Sequence, residues 1–283
     1  MNKLLADLIR LIELERLEVN LFRGESRDIG SPQVFGGQVL GQALYAAYAT
    51  VESRPVHSLH AYFLRRGDFN APIVYEVDLS RDGDSFTSRR VVAIQHGQQI
   101  FHMSASFQVD QPGPDHQVPA PDVAPPEALA DVTVEARRYL DRMPPGRRRY
   151  WSRQRPFEAR SVEPLESGGS QPGVRHMWFR LIDRCPDEPL MHHCLLAYMS
   201  DYHLLETAIL PHGPSFRFGD VTLASIDHAM WFHRSFRVDE WLLYALVSPS
   251  SSGSRGLAFG RIFDRQGRLV ASAAQEGLMR RRT

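Results

Sequence analysis

The chain has 283 residues, 43% of them apolar and 23% charged, which is enough to bury the cores of two ordinary domains and argues against disorder. Its 33 Lys and Arg residues balance its 33 Asp and Glu residues, so no overall charge favours nucleic acid or an anionic membrane as a partner. The two cysteines, Cys185 and Cys194, do not make a disulfide framework and favour a reducing compartment.

The N-terminal segment predicts an amphipathic first helix. Asp7 and Arg10 lie where a signal peptide would be uninterrupted apolar sequence. No apolar run reaches the roughly 18 residues of a membrane-spanning helix, and the C-terminal residues are not a Ser-Lys-Leu peroxisomal address. We therefore expect a cytoplasmic protein without a membrane span.

The first half predicts one helix followed by several strands. Residues 36–47 have helical composition after a glycine-rich start. β-Branched and aromatic residues are concentrated in the runs 58–64, 73–79, 85–95 and 99–108. Turns that contain glycine, such as Asp82-Gly83, separate these runs, as in antiparallel hairpins.

A proline-rich segment follows, with nine prolines and three consecutive arginines between residues 110 and 156. Proline at this density blocks regular helices and sheet ladders. The segment therefore predicts an extended linker, with a short helix possible over 132–143. It divides the chain into two halves of similar size.

The second half repeats the plan of the first. Its predicted elements are strands at 158–163 and 175–182, a helix at 190–209, and strands at 221–232, 241–249, 254–263 and 268–275. The segment 226–229 echoes 58–61, each followed by aromatic residues. One helix with several antiparallel strands, occurring twice, is an α+β plan with an internal duplication. The predicted units are 1–110 and 157–283, joined by a linker at 111–156.

Asp201 lies in the predicted helix on the same stripe as Cys194, Ala197 and Leu204. Burying an unpaired carboxylate is costly, so an acid on a core-facing stripe requires an explanation. Two interpretations remain open from periodicity alone. Asp201 is either a functional acid, or a solvated or capping residue at the edge of the stripe.

Two further polar residues are unremarkable when taken singly. Ser225 shares a strand face with Leu223 and Asp227, and Gln275 ends the last predicted strand. A lone serine in a strand is usually only tolerated there, and a glutamine in that position is usually on the surface.

Several other patterns exclude common kinds of site. Gly36-Gly37-Gln38 does not satisfy the dinucleotide fingerprint, and no G-x-S-x-G nucleophile elbow occurs. His192, His193 and Cys194 are consecutive, so on a helix they point about 100° apart and packing is favoured over a metal site. Arg81, Arg89 and Arg90 flank one turn and fit either a solvated hairpin or a phosphate contact.

Several long motifs in order resemble the acyl-CoA thioesterase II family, the double hot-dog thioesterases of bacteria and peroxisomes. They are VFGGQVLGQAL at 34–44, HSLHAYFL at 57–64, RDGDSFTSRRV at 81–91, SD at 200–201, IDHAMWFH at 226–233 and QEG at 275–277. The resemblance covers nearly the whole chain and implies two hot-dog units, each with a long helix wrapped by a curved antiparallel sheet. It also implies a homo-oligomer, either dimer or tetramer.

The resemblance implies that Asp201, Ser225 and Gln275 form the catalytic group of an acyl-CoA hydrolase. The family has threonine or serine at the middle position, with threonine in its bacterial members, and the serine here supplies the same hydroxyl. The expected reaction is direct attack of water on the thioester, with Asp201 as base and the other two residues orienting the water. No metal or other cofactor is expected.

The family motifs also suggest substrate-binding residues, namely Gly36, Gly37, Gln38, His60, Arg81, Arg89, Arg90 and His228. In the first half, Gln42 aligns near Asp201 and His57 near Ser225. Because Gln42 cannot act as a base, we expect one active site per chain, with the first half supplying acyl or CoA contacts.

Two alternatives remain open beside the thioesterase. A double hot-dog enoyl-CoA hydratase would require a paired Asp/His motif, which we do not see. A non-catalytic acyl-CoA-binding protein would be favoured if the catalytic group were broken. Thiol release from acyl-CoA, measured against ultraviolet loss of an enoyl-CoA, distinguishes the three.

Overall fold

The computed structural model describes residues 1–31, 33–143, 145–164, 170–213 and 221–281. The helices are α1 Lys3–Ile12, α2 Gly36–Tyr48, α3 Val132–Arg137, α4 Pro145–Trp151, α5 Pro189–Ser200 and α6 Leu204–Thr207. The strands of the first half are β1 Glu15–Glu18, β2 Leu21–Gly24, β3 Val56–Phe63, β4 Ile73–Asp82, β5 Phe86–Gln95 and β6 Gln98–Gln108. Those of the second half are β7 Phe157–Ser161, β8 Val174–Leu181, β9 Val221–Ser225, β10 Asp227–Phe232, β11 Leu242–Ser252, β12 Arg255–Phe263 and β13 Leu269–Arg281.

The strands of the described residues form one antiparallel sheet in the order β1-β2-β4-β5-β6-β3-β10-β13-β12-β11-β8-β7, with β9 paired to β13. The halves meet edge to edge where β3 pairs with β10. Counted outward from this seam, the first half gives β3, β6, β5 and β4, and the second half gives the corresponding strands β10, β13, β12 and β11. This is the α+β arrangement with two similar halves that the sequence predicts.

Helices α2 and α5 pack against each other in the core. Nearly all residues of both helices are buried, which explains why neither sequence shows a clean polar face. Glycine permits the close approach, because a Cβ on Gly41 would lie 3.0 Å from the carbonyl oxygen of Cys194. No helix of the described residues is long and apolar enough to cross a membrane.

The sheet register defines an internal twofold relation between the halves. His60 lies opposite Ala229 at the centre of the β3–β10 pair, so these two residues are equivalent. Val56 pairs with Phe107 as Ser225 pairs with Gly277, which extends the same relation. The sequence alignment, which matched His60 with His228 and His57 with Ser225, is therefore wrong by one residue. Such a shift exchanges the two faces of a strand.

The helices obey the same relation. Asp201 lies twelve residues after Pro189, the first residue of α5. Tyr48 lies twelve residues after Gly36, the first residue of α2, and is therefore the equivalent of Asp201. The expected match of Gln42 with Asp201 is wrong. Gln42 is fully buried, and its amide donates to the carbonyl oxygens of Leu11 and Glu25.

Three predicted elements differ from the structure. The helix predicted over 190–209 ends at Ser200, and His203 adopts a left-handed conformation (φ 66°) before α6 begins. Leu204 therefore does not continue the stripe on which Asp201 was placed. The strand predicted over 221–232 divides at Ile226, and β13 continues beyond Gln275 to Arg281.

The linker segment contains more local structure than its prolines suggest. Helix α3 lies within the predicted short helix over 132–143, and α4 follows it. Strands β1 and β2 are short and were not predicted. The division into units at 1–110 and 157–283 stays a prediction.

Candidate active site

Three elements of the second half bring Asp201, Ser225 and Gln275 together. Asp201 directly follows α5, Ser225 ends β9, and Gln275 lies within β13. Gln275 Nε2 donates to Asp201 Oδ1 at 2.6 Å and to Ser225 Oγ at 2.9 Å. Ser225 Oγ lies 3.4 Å from the same Asp201 oxygen and donates to it. The three residues that the sequence singled out therefore form one hydrogen-bonded cluster.

The first half contributes a fourth member to this cluster. The backbone N–H of Gly37 donates to Asp201 Oδ2 at 2.8 Å. Gly37 lies in the first turn of α2, where unpaired N–H groups and the helix dipole favour an anion. A Cβ on Gly36 would come within 2.8 Å of the same carboxylate oxygen. The Gly36-Gly37 pair thus allows α2 to approach Asp201, and the cluster spans both halves.

The break between β9 and β10 places the Ser225 hydroxyl. Asp227 Oδ1 accepts the backbone N–H of Glu276 at 2.6 Å, and the N–H of Ile226 donates to the carbonyl of Glu276. These bonds tie Ile226 and Asp227 to Glu276 of β13, next to Gln275. Burial raises the pKa of Asp227 above its usual range.

Gln275 is the buried anchor of the cluster. It is fully buried, whereas Asp201 and Ser225 are partly exposed. Its amide nitrogen is committed to Asp201 and Ser225, which fixes which way the amide points. Its Oε1 has no hydrogen-bond partner among the described residues. The amide therefore donates two hydrogen bonds to the cluster while its oxygen stays unsatisfied by the described residues of the core, which costs stability.

His228 lies beneath the cluster and not within it. Its ring is buried, with Nε2 2.9 Å from Ser200 Oγ, and burial lowers its pKa to about 4. His60 faces the other side of the sheet, where its ring and that of Trp231 meet edge to face. The structure therefore places His228 beside the residue that precedes Asp201, where the charge of the carboxylate still acts on its ring, and His60 on the opposite face of the sheet.

The predicted basic group lies away from the cluster. Arg89 is 4% exposed and is bonded to Asp82 at 2.7 Å and to Thr50, just beyond the C-terminal end of α2. Because Gly37 marks the other end of this helix, Arg89 and Asp201 are about 20 Å apart. Arg81 and Arg90 lie on the same hairpin. The side chain of Gln38 bonds the backbone of Glu25 and Arg27.

A cavity of about 170 Å³ adjoins the cluster and includes Ser225 in its wall. Its apolar lining comes from the first half, chiefly Val39, Phe63 and Ile100. Two exposed arginines, Arg65 and Arg66, also line it. The sequence analysis did not predict them. Their position, two consecutive arginines directly after the aromatic end of β3, could have indicated a basic site there.

The consecutive residues His192, His193 and Cys194 are packing residues, as expected. His193 Nδ1 is bonded to the hydroxyl of Tyr48 at 2.9 Å, and Cys194 is fully buried. Among the described residues, no group of three or more His, Cys, Asp or Glu side chains is placed to hold a metal ion.

Comparison with known proteins gives matches over nearly the whole chain. Residues 149–278 match a family described as "Acyl-CoA thioesterase", and residues 23–108 match "Acyl-CoA thioesterase N-terminal domain". The chain is 42% identical to Acyl-CoA thioesterase 2 of Haemophilus influenzae, over 99% of each chain.

Solved structures give the same relationship. The acyl-CoA thioesterase II TesB2 from Mycobacterium marinum has a TM-score of 0.81 and 42% identity, over 98% of this chain and 99% of its own. A protein with a hot dog fold from Alicyclobacillus acidocaldarius has a TM-score of 0.77 at 17% identity, over 98% and 99% of the two chains. The predicted double hot-dog fold is confirmed.

Proposed function

Because the chain belongs to the acyl-CoA thioesterase family, we propose that Asp201, Ser225 and Gln275 hold the water that hydrolyses its substrate. The protein is an acyl-CoA hydrolase, which converts acyl-CoA to a free fatty acid and coenzyme A. One observation supports the three-residue assignment above others. The Gln275 amide donates at once to the Asp201 carboxylate and the Ser225 hydroxyl.

The geometry fits direct attack by water. A water held by Asp201 and Ser225 would add its oxygen to the thioester carbonyl carbon while Asp201 accepts the proton. Collapse of the tetrahedral intermediate then breaks the C–S bond, and the proton passes to the leaving thiolate. The Gly37 and Gln275 donors fix the carboxylate, so little reorganisation is required during the reaction.

A covalent route through Ser225 is less well supported. Its bonds among the described residues run to Asp201 and Gln275. The nearest buried histidine of the strand that follows, His228, is bonded to Ser200. A serine nucleophile is usually activated by a histidine that a third group orients. Here the carboxylate, and not a histidine, adjoins the hydroxyl.

Substitution of Ser225 tests this role. We expect Ser225→Ala to lower kcat for acyl-CoA by about 10- to 100-fold, because one of the groups that orient the water is lost. Ser225→Thr keeps the hydroxyl and should stay within about threefold of wild type in thiol release. Equal losses in the two variants would contradict a role for the hydroxyl.

We also propose that Arg65 and Arg66 contact the phosphates of CoA at the mouth of the catalytic cleft. Arg66→Ala should raise KM for acyl-CoA about three- to fivefold, since an exposed charge pair contributes up to ~1 kcal/mol. KM for the corresponding acyl-pantetheine, which lacks the nucleotide, should not change. Arg90→Ala is the matched control on the distant hairpin. A raised KM in the Arg90→Ala variant alone would indicate that the CoA phosphates contact that hairpin instead.

Two further properties stay proposals. We propose a cytoplasmic location, supported by the similarity to the bacterial relative. We also propose a homo-oligomer, as the family resemblance implies. Light scattering on the purified chain separates monomer, dimer and tetramer.

A further inference from the structure

The internal twofold relation creates a second cleft, at the N-terminal end of α5. It is lined by Val56, Pro189, His192, His193, Phe232, Arg234 and Phe236, among others. Several residues of this wall are equivalents of residues in the catalytic cleft. Pro189 corresponds to Gly36, Phe232 to Phe63 and Arg234 to Arg65. The second cleft is therefore a copy of the catalytic one in position and framework.

The groups that act on a thioester are replaced in this copy. Tyr48 stands in the place of Asp201, Val56 in that of Ser225, and Ala105 in that of Gln275. The Tyr48 hydroxyl accepts the backbone N–H of Val56 at 2.8 Å, and burial raises its pKa above the usual range. No carboxylate or amide side chain occupies these three positions. The second cleft is thus not built for hydrolysis.

The second cleft nevertheless remains open. Its cavity measures about 570 Å³, compared with about 170 Å³ for the catalytic cleft, and falls in the usual range for small-molecule sites. The inner wall is aromatic, because the His193 ring meets Phe232 and Phe236 edge to face at 5.0 and 5.3 Å. Burial lowers the pKa of His193 to about 4, so this wall is uncharged near neutral pH. Such a wall suits an apolar chain.

The rim of the second cleft offers an exchangeable cation. Arg234 Nη1 is fixed on the carbonyl oxygen of Leu269, while Nη2 forms an ion pair with Asp115. The Arg234 side chain is only 20% exposed and is held in place, whereas Asp115 is 75% exposed, so a ligand anion can displace Asp115 from the guanidinium. His192 also lines this cleft, and its Nδ1 accepts the backbone N–H of Val238 at 3.2 Å.

From these features we propose that the second cleft binds an amphipathic acyl ligand without hydrolysing it. The acyl chain would lie along Phe232 and Phe236, and an anionic group would pair with Arg234. A free fatty acid and an acyl-CoA share this chemistry. The ligand is thus of the same class as the product or the substrate of the proposed reaction, and the site goes beyond the hydrolytic function.

Equilibrium titration of the full-length Asp201→Asn protein tests the proposal, with dodecanoate and dodecanoyl-CoA as probes. We expect a site for at least one probe that Arg65→Ala leaves intact and Arg234→Ala weakens about five- to tenfold. Arg234→Lys should restore most of the affinity, which a purely structural effect would not do. Binding of dodecanoate alone identifies a product site, and binding of dodecanoyl-CoA identifies a substrate site.

The opposite result is equally clear. If Arg234→Ala changes the titration with neither probe, the second cleft does not bind acyl ligands. The dodecanoate titration does not depend on hydrolysis, so it remains valid if Asp201→Asn proves to be active. That outcome would overturn the catalytic assignment of Asp201 and leave the second cleft to be judged separately.

Discussion

Asp201→Asn is expected to lower kcat for acyl-CoA hydrolysis by about 10²- to 10⁴-fold, the contribution typical of a positioned general base. The amide is nearly the same size as the carboxylate but cannot accept the proton of the attacking water. The substitution also conflicts with the surrounding donors. Gly37 N–H and Gln275 Nε2 donate to opposite oxygens of the carboxylate, so one of them would face the new NH₂ group.

The measurement is thiol release under saturating acyl-CoA, combined with a thermal unfolding curve. Asp84→Asn, the same change on an exposed hairpin of the first half, is the matched control. It should leave kcat and the unfolding midpoint unchanged. An Asp201→Asn protein that folds normally and keeps more than about a tenth of wild-type kcat would remove Asp201 from the role of base.

Gln275→Leu is expected to separate activity from stability. The substitution removes the donor shared by Asp201 and Ser225, and we expect kcat to fall about 10²- to 10³-fold, as for the loss of one preorganised donor. It also removes a fully buried oxygen that has no partner among the described residues. Leaving such a group unsatisfied costs about 1–3 kcal/mol, so the free energy of unfolding should not decrease.

Urea unfolding and steady-state kinetics on the same preparation check both parts. Gln275→Glu is a useful second variant, because it keeps the size of the side chain but places a second carboxylate beside Asp201 in place of a donor. It should also lose activity. A strongly destabilised Gln275→Leu protein with normal kcat would show that Gln275 is a structural residue.

Much of this fold follows from local patterns. Alternation and glycine turns located β4, β5 and β6 to within a few residues, because half-buried strands repeat every second residue. Periodicity failed at α5. The apolar residues before Asp201 belong to α5, which ends at Ser200, whereas Leu204 belongs to α6, which starts three residues after Asp201. The turn between these helices is buried but has no regular repeat, so a helical period cannot place its residues.

The site was only partly predictable. The motifs supplied Asp201, Ser225 and Gln275, and the structure brings the three together. The contact of Asp201 with Gly37 joins residues 164 positions apart, and no spacing within one half encodes it. The sequence comparison of the halves also failed by one strand residue. Motif letters do not specify register, whereas the β3–β10 hydrogen bonds do.

The mass of the enzyme during turnover tests most directly whether water attacks the thioester. The protein is mixed with excess acyl-CoA, quenched with acid within milliseconds to seconds, and digested to measure the peptide that carries Ser225. Direct attack by an Asp201-held water predicts that this peptide keeps its unmodified mass at every time point while free CoA accumulates. A peptide whose mass is raised by one acyl group, formed and lost at the rate of turnover, would contradict the account and make Ser225 the nucleophile.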